Sequence, residues 1–254
     1  MKKIIKIISM VFILTLAISV AAYAEPGATI GPSGITITTG TDTTSAQYVD
    51  NIKLLILLTF LSFLPAVILL MTSFTRIIIV LGFVRNALST SQSPPNQVLV
   101  GLAIFMTIFI MSPIYSKINA NAIQPYIKGE ITQEEAIEKG GQPLKEFMLK
   151  QTYEKDLALF IDAAGEDKPQ DASQVSFTAL IPAFAISELK TAFQMGFLIF
   201  VPFIVIDIVV ASILMSMGMF MLSPVTISLP FKILLFVMAD GWHLVVKSLL
   251  DSFV

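Results

Sequence analysis

Thr191 to Phe231 reads TAFQMGFLIFVPFIVIDIVVASILMSMGMFMLSPVTISLPF, about forty mostly apolar residues that carry a single charge, Asp207. A helix needs about twenty apolar residues to cross a bilayer, so this run is long enough for a spanning hairpin. A carboxylate inside such a segment is costly unless it faces a partner or a water-filled path. The whole chain agrees with this stretch: 55% of its 254 residues are hydrophobic and only 13% are charged. That composition lies outside the soluble norm and reads as a polytopic, all-α membrane protein with about four long, kinked apolar helices. The formal net charge of -2 provides no basic footprint for nucleic acid. With no cysteine, the chain has no disulfide framework, thiolate metal site or cysteine nucleophile.

Outward from that run, the chain divides into five parts. Residues 1-24 have the form of a cleaved signal peptide: Lys2, Lys3 and Lys6 precede a short apolar core, and Ala22-Tyr23-Ala24 gives the small-x-small cleavage pattern. Residues 25-50, rich in Gly, Ser and Thr, are expected to form a flexible exported leader. Residues 51-118 form a first helical hairpin: Leu54 to Met71, kinked at Pro65, then a basic link with Arg76 and Arg85, then Val98 to Tyr115. Residues 119-177 are a polar helical insertion, in which Thr132 and Glu135 have capping-box spacing. Gly140-Gly141 reads there as a breaker, and Glu135 with Lys139 and Glu146 with Lys150 read as i,i+4 pairs. Residues 178-254 form the second hairpin, ending in Ile227 to Leu250 with Lys232, Asp240 and Lys247. The lysine and arginine bias puts the Arg76–Arg85 link inside and the insertion outside, on the periplasmic side.

Few residues invite chemistry. Arg76 and Arg85, the two arginines, are nine apart and on one continuous helix would face opposite ways, so they read as topology or interface arginines. Glu188, Asp207 and Lys232 are charges within apolar segments, either a proton relay or structural pairs within or between subunits, and pairing is favoured because both signs are present. Met215, Met217, Met219 and Met221 recur with period two across Gly218, which suits a loop better than a helix face. Methionine either seals a passage by re-packing or simply fills gaps. His243 is the only histidine, so a transition-metal site has no ligand set. No phosphate loop or nucleophile elbow is present, so no cofactor and no enzyme activity are expected.

Longer blocks add a resemblance. Phe74 to Leu81 (FTRIIIVL), Arg85 to Leu88 (RNAL), Pro94 to Gly101 (PPNQVLVG), Ile181 to Phe184 (IPAF), Ser187 to Phe193 (SELKTAF), Val205 to Asp207 (VID), Met215 to Met219 (MSMGM), Leu229 to Lys232 (LPFK) and Asp240 to Trp242 (DGW) resemble the FliP/SctR family of type III secretion export gate subunits. Ile131 to Ala136 (ITQEEA) and Phe147 to Thr152 (FMLKQT) resemble that family's insertion. Phe220, Ser223 and His243 depart from its usual pattern. The resemblance implies a homo-oligomer, a pentamer, that assembles with FliQ-like and FliR-like membrane subunits into a helical pore raised partly toward the periplasm. It implies that Met217, Met219, Phe220 and Met221 form a pore seal, that Glu188, Asp207 and Lys232 hold neighbours together, and that energy comes from other proteins. The implied function is export of flagellar rod, hook and filament proteins. The equivalent injectisome subunit, and less so a proton-coupled small-solute carrier, are the alternatives.

Overall fold

The structure is a computed structural model that describes residues 27–31, 34–38, 45–90, 92–165 and 174–253. The signal sequence and its cleavage site lie outside the described residues. Within the leader, β1 (Gly27–Gly31) and β2 (Gly34–Thr38) pair antiparallel, with Ile30 opposite Ile35. Composition alone reads this segment as flexible, but its β-branched Thr and Ile residues beside glycine turns suit a short hairpin.

The rest is helical. α1 (Ser45–Leu70) contains the first apolar segment and continues through Pro65. After it come α2 (Phe74–Ala87) and α3 (Asn96–Ile118), which passes through a π-turn at Asn119–Ile123 into α4 (Gln124–Ile127). The insertion supplies α5 (Gln133–Gln151) and α6 (Glu154–Ala164). α7 (Phe177–Ser216), α8 (Pro224–Met238) and α9 (Gly241–Asp251) complete the order. Among the described residues two helices are long and apolar enough to cross a membrane, Asn96–Ile127 and Phe177–Ser216. Pro224–Met238 with Gly241–Asp251, bent by 63°, makes a third if counted as one span.

α2 occupies the centre of the core, which corrects its reading as a connecting link. Ile77, Val80, Leu81 and Val84 are fully buried and recur at i, i+3, i+4 and i+7, a single helical face. Around them pack Leu99 and Ala103 of α3, Ala192 and Phe203 of α7, Phe236 of α8 and Leu249 of α9. At about 1.5 Å per residue this helix is too short to span a bilayer. Its apolar face is satisfied by other helices.

The insertion is docked on the helical core. Thr132 Oγ1 accepts from Glu135 N, and the Glu135 carboxylate accepts from Thr132 N, the reciprocal cap the spacing indicates. α5 then runs unbroken through Gly140-Gly141 and Pro143. Gly140 serves contact, not termination, because a Cβ there would sit 3.3 Å from Ala122 Cβ. The break falls at Thr152-Tyr153 instead, where Tyr153 N donates to Ser187 Oγ of α7 at 3.1 Å and Ser187 Oγ donates to Asp156 Oδ2 at 2.9 Å. Phe147 and Met148 of α5 share a second buried cluster with Met111 of α3 and Leu180 and Phe184 of α7. Neither i,i+4 ion pair expected on α5 forms among the described residues. Glu135 is turned back to its cap, and Glu146 Oε1 accepts from Gln142 Nε2 at 3.4 Å.

Candidate charge-pairing and gate site

Arg76 lies in the first turn of α2 and is only 2% exposed. Its guanidinium grips the Glu188 carboxylate with both edges: Nε donates to Oε2 at 2.9 Å and Nη2 donates to Oε1. The remaining donors go to Ser252 O at 2.8 Å, Ser252 Oγ at 2.9 Å and Gln151 Oε1 at 2.9 Å. The Phe253 ring centroid lies 3.9 Å from Arg76 Cζ. One side chain therefore ties α2, α5, α7 and the last residues after α9 together. This corrects the assignment of Arg76 as a topology or interface arginine, since a planar fork with five donors, so fully used, is a buried organising group. Arg85 faces the other way and, among the described residues, its side chain reaches only Asn96 Oδ1, at 3.5 Å.

Asp207 of α7 and Lys232 of α8 meet at the second site. Lys232 Nζ, on a residue 1% exposed, donates to Asp207 Oδ2 at 2.6 Å and to Ser89 Oγ at 2.7 Å. Ser228 Oγ donates to Asp207 Oδ1. Ser89 follows α2 with a positive φ of 57°, so the ammonium stands at the carbonyl end of that helix, where the helix dipole favours a cation. Glu188 is not part of this network. The three charges expected as one set thus separate into two sites, and within one chain each acid has its own base.

The methionine stretch forms the turn between α7 and α8. Met215 is in the last turn of α7, and Met217 is its C-cap. Gly218 follows with φ 74°, a left-handed conformation that glycine adopts without a Cβ clash. Met219 N donates to Leu214 O and Gly218 N donates to Met215 O, both at 3.0 Å. These two bonds are those of a Schellman motif. Pro224 then starts α8 at a position where a missing N–H is harmless. Met217 is 66% exposed, Phe220 77% and Met221 99%, while Met219 is half-buried. The motif thus holds three large apolar side chains away from the subunit's own core.

Ser89, Ser228, Gln151, Ser252 and Phe253 complete the two polar sites without a prior sequence signal. Their partners lie up to 176 residues away, and serine in a helical pattern gives no hint of what it will meet. His243 is exposed on α9.

Long apolar helices, charges neutralised between them and an apolar turn held outward define an α-helical membrane protein built for contact beyond its own fold. The chain belongs to the FliP family, whose model matches residues 57–249. It is 60% identical over 204 residues to the flagellar biosynthetic protein FliP of Bacillus subtilis (strain 168), covering 80% of this chain and 92% of that protein. Identity is 55% to the protein of that name from Pectobacterium carotovorum subsp. carotovorum, over 80% of this chain and 79% of that protein. It is 49% to that of Aquifex aeolicus (strain VF5), over 81% and 87%.

Proposed function

We propose that this chain is the core pore-forming subunit of a flagellar type III protein export apparatus, needed for passage of rod, hook and filament proteins. The observation that carries the reading is the outward-facing Met217, Phe220 and Met221 turn, anchored by a Schellman motif, in a chain of the FliP family. Flexible apolar side chains at the end of a long helix can close against one another and re-pack around a passing unfolded chain. The subunit acts as a homo-oligomer, a pentamer, with FliQ-like and FliR-like membrane partners. In support, Phe105 and Phe109 of α3 and Leu198 of α7 are 70% exposed or more. The protein is multi-pass, loses its signal peptide after Ala24, holds the insertion on the periplasmic side and is raised partly toward it. It performs no catalysis itself. The Arg76–Glu188 and Asp207–Lys232 pairs fasten helices within each subunit and so fix the surfaces that neighbours meet.

The relatives' shared name favours the flagellar role over an injectisome. Deleting the gene and restoring it by complementation tests this. Hook and filament proteins should vanish from the culture medium and return with the intact chain, whereas normal secretion in the deletion strain would overturn the proposal.

A further inference from the structure

The turn between α7 and α8 carries a chemistry that its packing leaves unused. Met217 and Met221 are 66% and 99% exposed, whereas Met111 and Met148 in the core are fully buried. Among the described residues no hydrogen-bond donor reaches either exposed thioether. A thioether sulfur is nucleophilic, and exposure decides which methionines an oxidant reaches. The Schellman bonds, Met219 N to Leu214 O and Gly218 N to Met215 O, use main-chain atoms only. A change at the sulfurs therefore leaves the turn standing. Nor does it touch the Asp207–Lys232 pair, whose other partners are Ser228 and Ser89.

We propose that Met217 and Met221 are oxidation sites through which a peroxide opens the seal, a regulation that rests on reading this turn as the pore seal. The Sδ lone pair attacks one oxygen of hydrogen peroxide, so that an S–O bond forms and the O–O bond breaks. The departing hydroxide takes the proton of the transferred oxygen and leaves as water. The sulfur loses two electrons and the peroxide gains them. The product, a sulfoxide, is polar and accepts strong hydrogen bonds, where the thioether was apolar. Phe220, 77% exposed, and the neighbouring methionines bring side chains without a strong donor, so water has to solvate the new oxygen. A seal that works by excluding water then admits it. Access follows from the role: a seal across a passage keeps a solvent side, and hydrogen peroxide is little larger than water.

Small-solute permeability of membranes carrying the assembled complex, before and after brief hydrogen peroxide treatment, tests this. Peptide mass spectrometry locates the sulfoxides, and native gels establish that the complex is intact. Sulfoxide at Met217 and Met221 should form about tenfold faster than at Met111 and Met148, and permeability should rise about fivefold. Met217→Leu/Met221→Leu, apolar and of similar volume, should stay tight before and after treatment. Met238, 78% exposed at the other end of α8, supplies the control, and Met238→Leu should leave the peroxide-induced leak unchanged. No sulfoxide at either turn methionine, sulfoxide at both with permeability unchanged, or an equal leak from the leucine variant would each overturn the proposal. The first two outcomes are read on the unaltered complex, so they stand even where the variant does not assemble. If Met217→Ala/Met219→Ala/Met221→Ala leaks and the oxidised complex does not, oxidation control alone fails; if neither leaks, the seal reading fails with it.

Discussion

Lys232 is a cation at 1% exposure, and Asp207 is what makes its burial tolerable. Removing one member of a buried pair strands the other charge, which typically costs about 3–5 kcal/mol. Asp207→Ala should therefore lower the thermal stability of the purified protein by about that amount, and Asp207→Ala/Lys232→Met should recover much of it. A proton relay predicts otherwise: Asp207→Ala would leave the protein as stable as before and abolish export, and the double substitution would restore nothing. Arg76 gives a second test at this scale. Lysine lacks the fork that holds Glu188, Gln151 and Ser252 together, so Arg76→Lys should destabilise by about 1–3 kcal/mol through acceptors left unpaired. A thermal midpoint equal to that of the unaltered chain would show that Arg76 acts only as a point charge. Asp207 and Lys232 were legible in the sequence as charges inside apolar runs. The role of Arg76 was not, because an arginine between two long apolar segments reads as a topology signal until its acceptors, far away in the chain, are known.

Among the elements, α2 shows where pattern reading stops. Its apolar face has a clear helical period, but its short length and two arginines resemble a loop between spans, and only the surrounding helices show it as the core. Close approach fixes its position: a Cβ at Gly196 of α7 would lie 2.4 Å from Phe83 Cδ2 and 3.0 Å from Phe83 Cβ. Phe83 in turn meets Phe193 edge to face, with centroids 5.3 Å apart. Gly196→Ala must push α2 and α7 apart or rotate Phe83 off its contact, and overpacking of this kind costs about 1–3 kcal/mol. Thermal unfolding in detergent should register that loss, and an unchanged midpoint would mean the interface has slack that these distances deny. The capping box of α5 was legible because it is local, with all its parts inside four residues. The continuation of α5 through Gly140-Gly141 was not, since those glycines serve a contact with Ala122 that no short window contains.

Over the whole molecule, membrane class was legible from composition, and the neutralised charges and docked insertion make the described residues of 67–254 one packed, mainly helical unit. What its own fold leaves unsatisfied is apolar: the outer faces of α3, α7 and α8, and the Met217 to Met221 turn. Lipid can cover helix faces, but a turn whose Met221 is 99% exposed requires a neighbour of its own kind if the chain lines a pore. Closure by those side chains is local, so it separates from the buried charges that maintain the fold. The direct measurement is small-solute and ion permeability of membranes carrying the assembled complex with Met217, Met219 and Met221 all changed to alanine, with native gels to establish that the complex is intact. The account predicts an intact complex that leaks, and an intact complex with unchanged permeability would contradict it.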